Sequence, residues 1–234
     1  VDGGITVQDA YFASSGSWKT ILIGSLGAGG KGLYMLDVTD PTMTSELDTN
    51  KLLGELTDSN KDVGYIFDAT TIAQLNDGKW YAIAGNGIAS VNGTAKLFLI
   101  NLESGALTTI STGSAGGNGL AAPALVDTDG DGKSDIAFAG DINGDMWKFD
   151  LTGSTPGSWQ LEYRLYDGAA TQPITMSPDI TNHPQFGFLV MFGTGKLYEV
   201  ADIADKSVQA LYGVWDTGTS PAGSETRLSQ LLSL

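Results

Sequence analysis

An all-β fold of the β-propeller class, partial and with about four blades, is predicted by three features of this 234-residue sequence. Apolar stretches that end in glycine recur four times, at 20–24, 81–85, 136–140 and 189–193. Each is followed by a stretch with an aromatic residue near its start, at 33–38, 97–102, 146–151 and 197–202. No segment carries a long helical period, and repeats of roughly 40–50 residues with several strands each are the mark of propeller blades.

The elements follow in order. A first strand ending in aspartate is read at Val7-Gln8-Asp9, Ile66-Phe67-Asp68, Leu125-Val126-Asp127 and Ser177-Pro178-Asp179, with the aspartates 59, 59 and 52 residues apart. The second and third strands are the two recurring stretches above. They are apolar at nearly every position, as expected of strands buried on both faces between stacked sheets. Fourth strands are placed at 52–56, 107–112 and 159–166. Asn143-Gly144 marks a tight hairpin between the second and third strands of the third unit. The blades are drawn at 1–58, 59–117, 118–168 and 169–215. A further strand is read at 208–215, followed by a polar tail over 216–234. Four units suggest a segment of a larger propeller, whose end sheets are covered by upstream residues or by neighbouring chains. The opening Val1-Asp2-Gly3-Gly4 reads as the middle of a longer protein.

Composition narrows the function. Twelve basic against 27 acidic residues leave a net charge of −15, which argues against nucleic acid and anionic membrane surfaces as partners and favours divalent cations. The absence of cysteine removes thiol chemistry, disulfides and Cys-ligated zinc. The longest apolar run, 186–192, is far too short to span a bilayer.

One loop carries chemistry. In Asp127-Thr128-Asp129-Gly130-Asp131-Gly132-Lys133-Ser134-Asp135, carboxylates stand at positions 1, 3, 5 and 9. Gly132 at position 6 permits the tight curl that lets them converge. This is the first half of a calcium loop, with Asp127, Asp129 and Asp131 as ligands and the Lys133 backbone carbonyl at position 7. Position 12 is Phe138, so Asp135 is the carboxylate placed to close the shell. An apolar strand follows instead of a helix, which puts the Ca2+ site in a strand-to-strand loop. Four carboxylates in nine residues repel one another without a cation. The second unit offers a control: Asn76-Asp77-Gly78-Lys79-Trp80-Tyr81 aligns with residues 130–135 but lacks the upstream aspartates and the closing carboxylate.

Other candidates read as structure. His183, the only histidine, lies in the turn Asn182-His183-Pro184. Asp141 and Asp145 flank the hairpin and serve its geometry. The glycine-rich stretch 24–32 lacks the Lys-Ser/Thr and the helix of a phosphate loop and joins two strands. The tryptophans at 18, 80, 147, 159 and 215 fill gaps within or between blades. No catalytic arrangement is present by spacing, so no enzyme is expected.

The ordered set of motifs resembles the C-terminal β-propeller of the PilY1/PilC family of type IV pilus tip-associated proteins. The resemblance rests on Trp18-Lys19-Thr20-Ile21-Leu22-Ile23-Gly24, on Met35-Leu36-Asp37-Val38-Thr39-Asp40-Pro41, on the acidic loop and on Ala139-Gly140-Asp141-Ile142-Asn143-Gly144-Asp145-Met146-Trp147-Lys148-Phe149-Asp150-Leu151. Phe192-Gly193-Thr194-Gly195-Lys196-Leu197-Tyr198 and Leu211-Tyr212-Gly213-Val214-Trp215-Asp216 complete it. It implies a modified seven-bladed propeller with one EF-hand-like calcium site. The implied ligands are Asp127, Asp129, Asp131, the Lys133 carbonyl and Asp135. It further implies roles in pilus biogenesis, retraction control, adhesion and twitching motility. The implied location is extracellular or at the cell surface, on the fimbrium at the pilus tip, after export through the outer membrane. Pilins or minor pilins, and a host or surface receptor, are the implied partners. Two other propeller classes compete. Ile100-Asn101-Leu102-Glu103-Ser104-Gly105 looks like a docking repeat of quinoprotein dehydrogenases. Integrin-like propellers also carry calcium loops, but usually in successive blades.

Overall fold

The computed structural model describes residues 2–40, 42, 51–221 and 228–233, the last segment by its backbone. Sixteen strands among these residues form four antiparallel sheets, each a simple meander. The first sheet contains β1 (Ile5–Phe12), β2 (Ser17–Ser25), β3 (Gly32–Asp37) and β4 (Leu52–Thr57). The second contains β5 (Thr71–Gln74), β6 (Trp80–Gly85), β7 (Lys96–Asn101) and β8 (Leu107–Ser111). The third contains β9 (Ala124–Val126), β10 (Ile136–Gly140), β11 (Met146–Asp150) and β12 (Gln160–Tyr166). The fourth contains β13 (Asp179–Asn182), β14 (Phe188–Gly193), β15 (Ala210–Asp216) and β16 (Leu228–Ser233).

The nearly unbroken apolar runs find their reason in the stacking. Successive side chains of a strand point to opposite faces. On β10, Ala137 and Ala139 pack toward the second sheet, beside Tyr81, Ile83, Leu97 and Leu99, while Phe138 packs toward the fourth, beside Val190, Phe192 and Val214. On β6, Ala82 and Ala84 meet Ile21, Ile23 and Met35 of the first sheet. Inner strands thus have no solvent face and no polar alternation. Among the described residues the outer face of β1 lacks such a cover: Ala10 and Phe12 are buried, whereas Ile5 is 61% and Val7 54% exposed.

Close approach of backbones sets the glycine at the end of β6. A Cβ on Gly85 would sit 2.1 Å from the Ala121 carbonyl oxygen and 2.3 Å from that of Leu120. Both obstacles are main chain and cannot swing away. Gly85→Ala is expected to destabilise the protein by about 1–3 kcal/mol or more, read as a lower urea midpoint at unchanged slope.

Four expectations about elements are corrected, the first being Ser177-Pro178-Asp179: Asp179 opens β13 and does not end a strand. Ile66-Phe67-Asp68 is not a strand; the first strand of the second sheet is β5, beginning at Thr71. Tyr65 instead bridges Ile88, and Phe67 stacks on Tyr198 with ring centroids 4.4 Å apart. The recurring aspartates are therefore not equivalent positions. Residues 197–202 are not the third strand of the fourth sheet. The Asp202 carboxylate accepts the Tyr198 and Glu199 N–H groups, both at 2.8 Å, and pairs with Lys196 at 3.0 Å, winding Val200–Ala204 into a 3₁₀ turn. Leu197, Val200 and Ile203 are all exposed, so their apolar character marks no core strand. The third strand is β15, and β16 lies within the segment read as a polar tail. The fourth strands expected at 52–56, 107–112 and 159–166 coincide with β4, β8 and β12 to within a residue or so.

Candidate metal centre

The acidic loop joins β9 to β10, and its base is closed by the backbone: Asp135 N donates to the Val126 carbonyl at 2.8 Å. Asp127 organises the first half. Its Oδ1 accepts Gly130 N at 2.7 Å and its Oδ2 accepts Gly132 N at 2.8 Å. Gly130 and Gly132 hold φ of 79° and 87°, the left-handed conformations that glycine adopts at little cost. Asp129 Oδ1 accepts Asp131 N at 3.1 Å. Asp135, only 5% exposed, turns back over the loop. Its Oδ2 accepts Thr128 N at 2.8 Å and Thr128 Oγ1, and its Oδ1 accepts Asn76 Nδ2 at 2.8 Å. Burial pushes this carboxyl upward, but the bonds from Thr128 and Asn76 together outweigh it and hold the group below the ordinary carboxylate range.

One carboxylate oxygen each from Asp127, Asp129 and Asp135 lies within 4.8 Å of the others. Oxygens that share a calcium ion at 2.3–2.6 Å stand at most about 5 Å apart, so this set fits one ion. The donors are hard oxygens, which suits calcium better than zinc or copper. The structure brings together three of the four expected carboxylates. Asp131 and Lys133 are paired with each other: Asp131 Oδ1 accepts Lys133 N at 2.8 Å, and Oδ2 accepts Lys133 Nζ at 2.6 Å. The ammonium stands two residues away on the same exposed turn, and its charge-assisted bond draws the carboxylate sideways. That bond holds the Asp131 carboxyl below its usual range and the Lys133 ammonium above its own.

Asn76 and Thr128, which hold Asp135, carry no ligand signal in the sequence. Thr128 sits between two aspartates and reads as filler. Asn76 comes from the β5–β6 turn of the neighbouring sheet, a contact that only stacking creates.

The remaining candidates take structural roles. Asp141 is fully buried at the hairpin end, where it accepts Asn118 Nδ2 at 2.8 Å, Trp147 Nε1 at 2.7 Å and Asp145 N at 3.0 Å. Burial raises its carboxyl above the usual range despite these donors, and burial together with the Asp141 charge does the same to Asp145. His183 stacks on Trp215 at 4.1 Å and accepts Gln185 N. In the 24–32 stretch a 3₁₀ turn over Gly27–Gly29 joins β2 to β3, and the Asp2 carboxylate takes up the Ala28 N–H. In the stretch 100–105, Asn101 Oδ1 accepts the N–H groups of Glu103 and Ser104, a local turn between β7 and β8. Trp147 and Trp159 are buried between sheets, but Trp18 is 59% exposed, packing edge-on against Tyr11 and Trp80 at the surface.

The family model of the PilY1 beta-propeller domain matches residues 1–230. The chain belongs to the PilY1 beta-propeller family. It is 43% identical, over 98% of its length, to the type IV pilus biogenesis factor PilY1 of Pseudomonas aeruginosa strain PAO1. It is 35% identical, also over 98% of its length, to a PilY1 homolog of Xylella fastidiosa strain Temecula1. The crystal structure of the Pseudomonas aeruginosa PilY1 C-terminal domain superposes with a TM-score of 0.83 at 42% identity, covering 94% of this chain and 50% of that one. The chain spans 22% of the PAO1 relative and 17% of the Xylella homolog. The four antiparallel sheets are thus those of the PilY1 propeller. No helix among the described residues is long and apolar enough to cross a membrane.

Proposed function

We propose that this segment of the PilY1 family is a calcium-binding module of a type IV pilus-associated surface protein, without enzymatic activity. The observation that carries the reading is the meeting of the Asp127, Asp129 and Asp135 carboxylates within 4.8 Å, on a loop already curled by Asp127 and two left-handed glycines. The relatives named as type IV pilus biogenesis factors support the pilus setting.

Calcium would supply the positive charge that offsets the acidic cluster. The protein does the rest. Asp127 is held in the loop by the Gly130 and Gly132 N–H groups, which its two oxygens accept. Asp135 closes the shell from the strand side. Asp131, where not engaged by Lys133, and the Lys133 carbonyl would supply the remaining oxygens. A loop ordered in this way fixes the start of β10. In the parent protein it would support pilus biogenesis and retraction control, and with them adhesion and twitching motility, at the cell surface or pilus tip. Pilins or minor pilins are the proposed partners there, and a surface receptor for adhesion.

Titration calorimetry of this chain, and of its full-length parent, with calcium up to about 10 mM checks the reading, since extracellular sites bind in the range of roughly 10⁻⁴–10⁻³ M. One saturable site per chain is the expected result. Heats indistinguishable from dilution in both proteins overturn it.

A further inference from the structure

We propose that Asn76 is a positioning residue for the cation loop, and that through it cation binding is coupled to the seam between the second and third sheets. The inference rests on the calcium reading above.

Asp135 is the buried member of the cluster, and its two oxygens are held from different sheets. Thr128, within the loop itself, holds Oδ2. Asn76, on the β5–β6 turn, holds Oδ1 at 2.8 Å. The same amide group also lies 3.1 Å from the Leu151 carbonyl and 3.3 Å from the Ser134 carbonyl. The backbone repeats the connection: Ser134 N donates to the Gln74 carbonyl at 2.9 Å, and Leu75 bridges Ser134 in parallel.

The turn that presents Asn76 is itself braced. Leu75 N donates to the Lys79 carbonyl at 3.0 Å, and Gly78 N to the Leu75 carbonyl at 2.8 Å. Asp77 accepts Lys79 N at 3.0 Å and Tyr81 Oη at 2.7 Å. Tyr81 in turn packs edge-on against Trp159 of the third sheet, at 5.2 Å between centroids. The orientation of the closing carboxylate is therefore set half by its own loop and half by the neighbouring sheet. A partner that orients a metal ligand in this way commonly controls affinity by about 10–100-fold. Linkage requires the converse as well: an ion that prefers the oriented carboxylate tightens the seam that orients it.

The test compares the intact chain with its Asn76→Ala variant, using calcium chloride as the probe. Calorimetry is expected to show the variant binding calcium at least 10-fold more weakly. Backbone hydrogen exchange on the unmutated chain is expected to show calcium slowing the Ser134 and Gly78 amides, which lie at the seam, along with the Gly132 amide inside the loop. This second measurement stands even if the variant fails to fold. The inference is overturned if the unmutated chain binds calcium and the variant matches it within twofold. It is equally overturned if calcium slows Gly132 while Ser134 and Gly78 exchange as before. Both outcomes leave the calcium reading intact, whereas absence of binding to the unmutated chain removes that reading and this one together.

Discussion

Lys148→Ala is expected to destabilise the protein by about 3–5 kcal/mol, the cost typical of removing one partner from a buried ion pair. Lys148 is on β11 and only 4% exposed. Its Nζ lies 3.1 Å from Asp216 Oδ2, 3.1 Å from Glu162 Oε2 and 3.0 Å from Tyr163 Oη. It also stands over the Tyr163 and Phe138 rings, at 5.0 and 6.0 Å. Asp216, at the end of β15, is 1% exposed, and its Oδ1 accepts Tyr163 Oη at 2.5 Å. Its Oδ2 faces the ammonium off the line of a hydrogen bond, so the attraction there is that of charge. One lysine thus ties the third sheet to the fourth, and truncating it leaves the buried Asp216 carboxylate without its cation. Urea unfolding of the variant measures the effect. The double variant Lys148→Met with Asp216→Leu is expected to recover most of the loss, because replacing both charges by apolar groups removes the desolvation cost along with the pair. A loss below about 1 kcal/mol for Lys148→Ala would show that the pair contributes no more than an exposed one.

Asp127→Ala is expected to abolish measurable calcium binding, weakening it by about 100-fold or more, beyond the range typical of residues outside the ligand set. Two losses combine. The cluster forfeits a carboxylate, and the Gly130 and Gly132 N–H groups lose the acceptor that curls the loop. Asp127→Asn separates these effects, because its amide oxygen still accepts one of those bonds while the charge is gone. The asparagine variant should keep the loop amides protected in calcium-free buffer and bind calcium with an intermediate affinity. Calorimetry and hydrogen exchange on the two variants check the order. Unchanged calcium heat in Asp127→Ala means that the ion is held elsewhere.

The strands most legible in the sequence were those buried on both faces, since stacking between sheets favours an apolar residue at nearly every position. β6, β7, β10 and β11 are of this kind. The strands misread in sequence lie nearer the margins. Before β5, Phe67 is apolar because it stacks on Tyr198, not because it pairs in a sheet. At Val200–Ala204 an aspartate that captures backbone N–H groups overrides an apolar pattern, a choice local propensity does not reveal. Periodic aspartates suggested equivalence where the register shows none: Asp9 pairs with Thr20 inside β1, whereas Asp127 lies just past the end of β9.

Spacing pointed to a meeting of the loop's carboxylates, which Asp127, Asp129 and Asp135 make, whereas the pairing of Asp131 with Lys133 left no mark in it. The repeat spacing also determined the all-β stacked architecture, and the ordered motifs carried the resemblance to the PilY1 family. Tertiary structure decided which of those carboxylates is buried, that Asn76 of another sheet holds it, and that Lys148 bridges two sheets. These contacts join residues 59 and 68 positions apart in the chain, and they exist because sheets packed face to face bring a turn of one against a loop of the next, and a strand of one against a strand of the next. Hydrogen bonds and ion pairs across such a seam leave no periodic trace in a linear pattern, since their partners are chosen by packing and not by sequence distance.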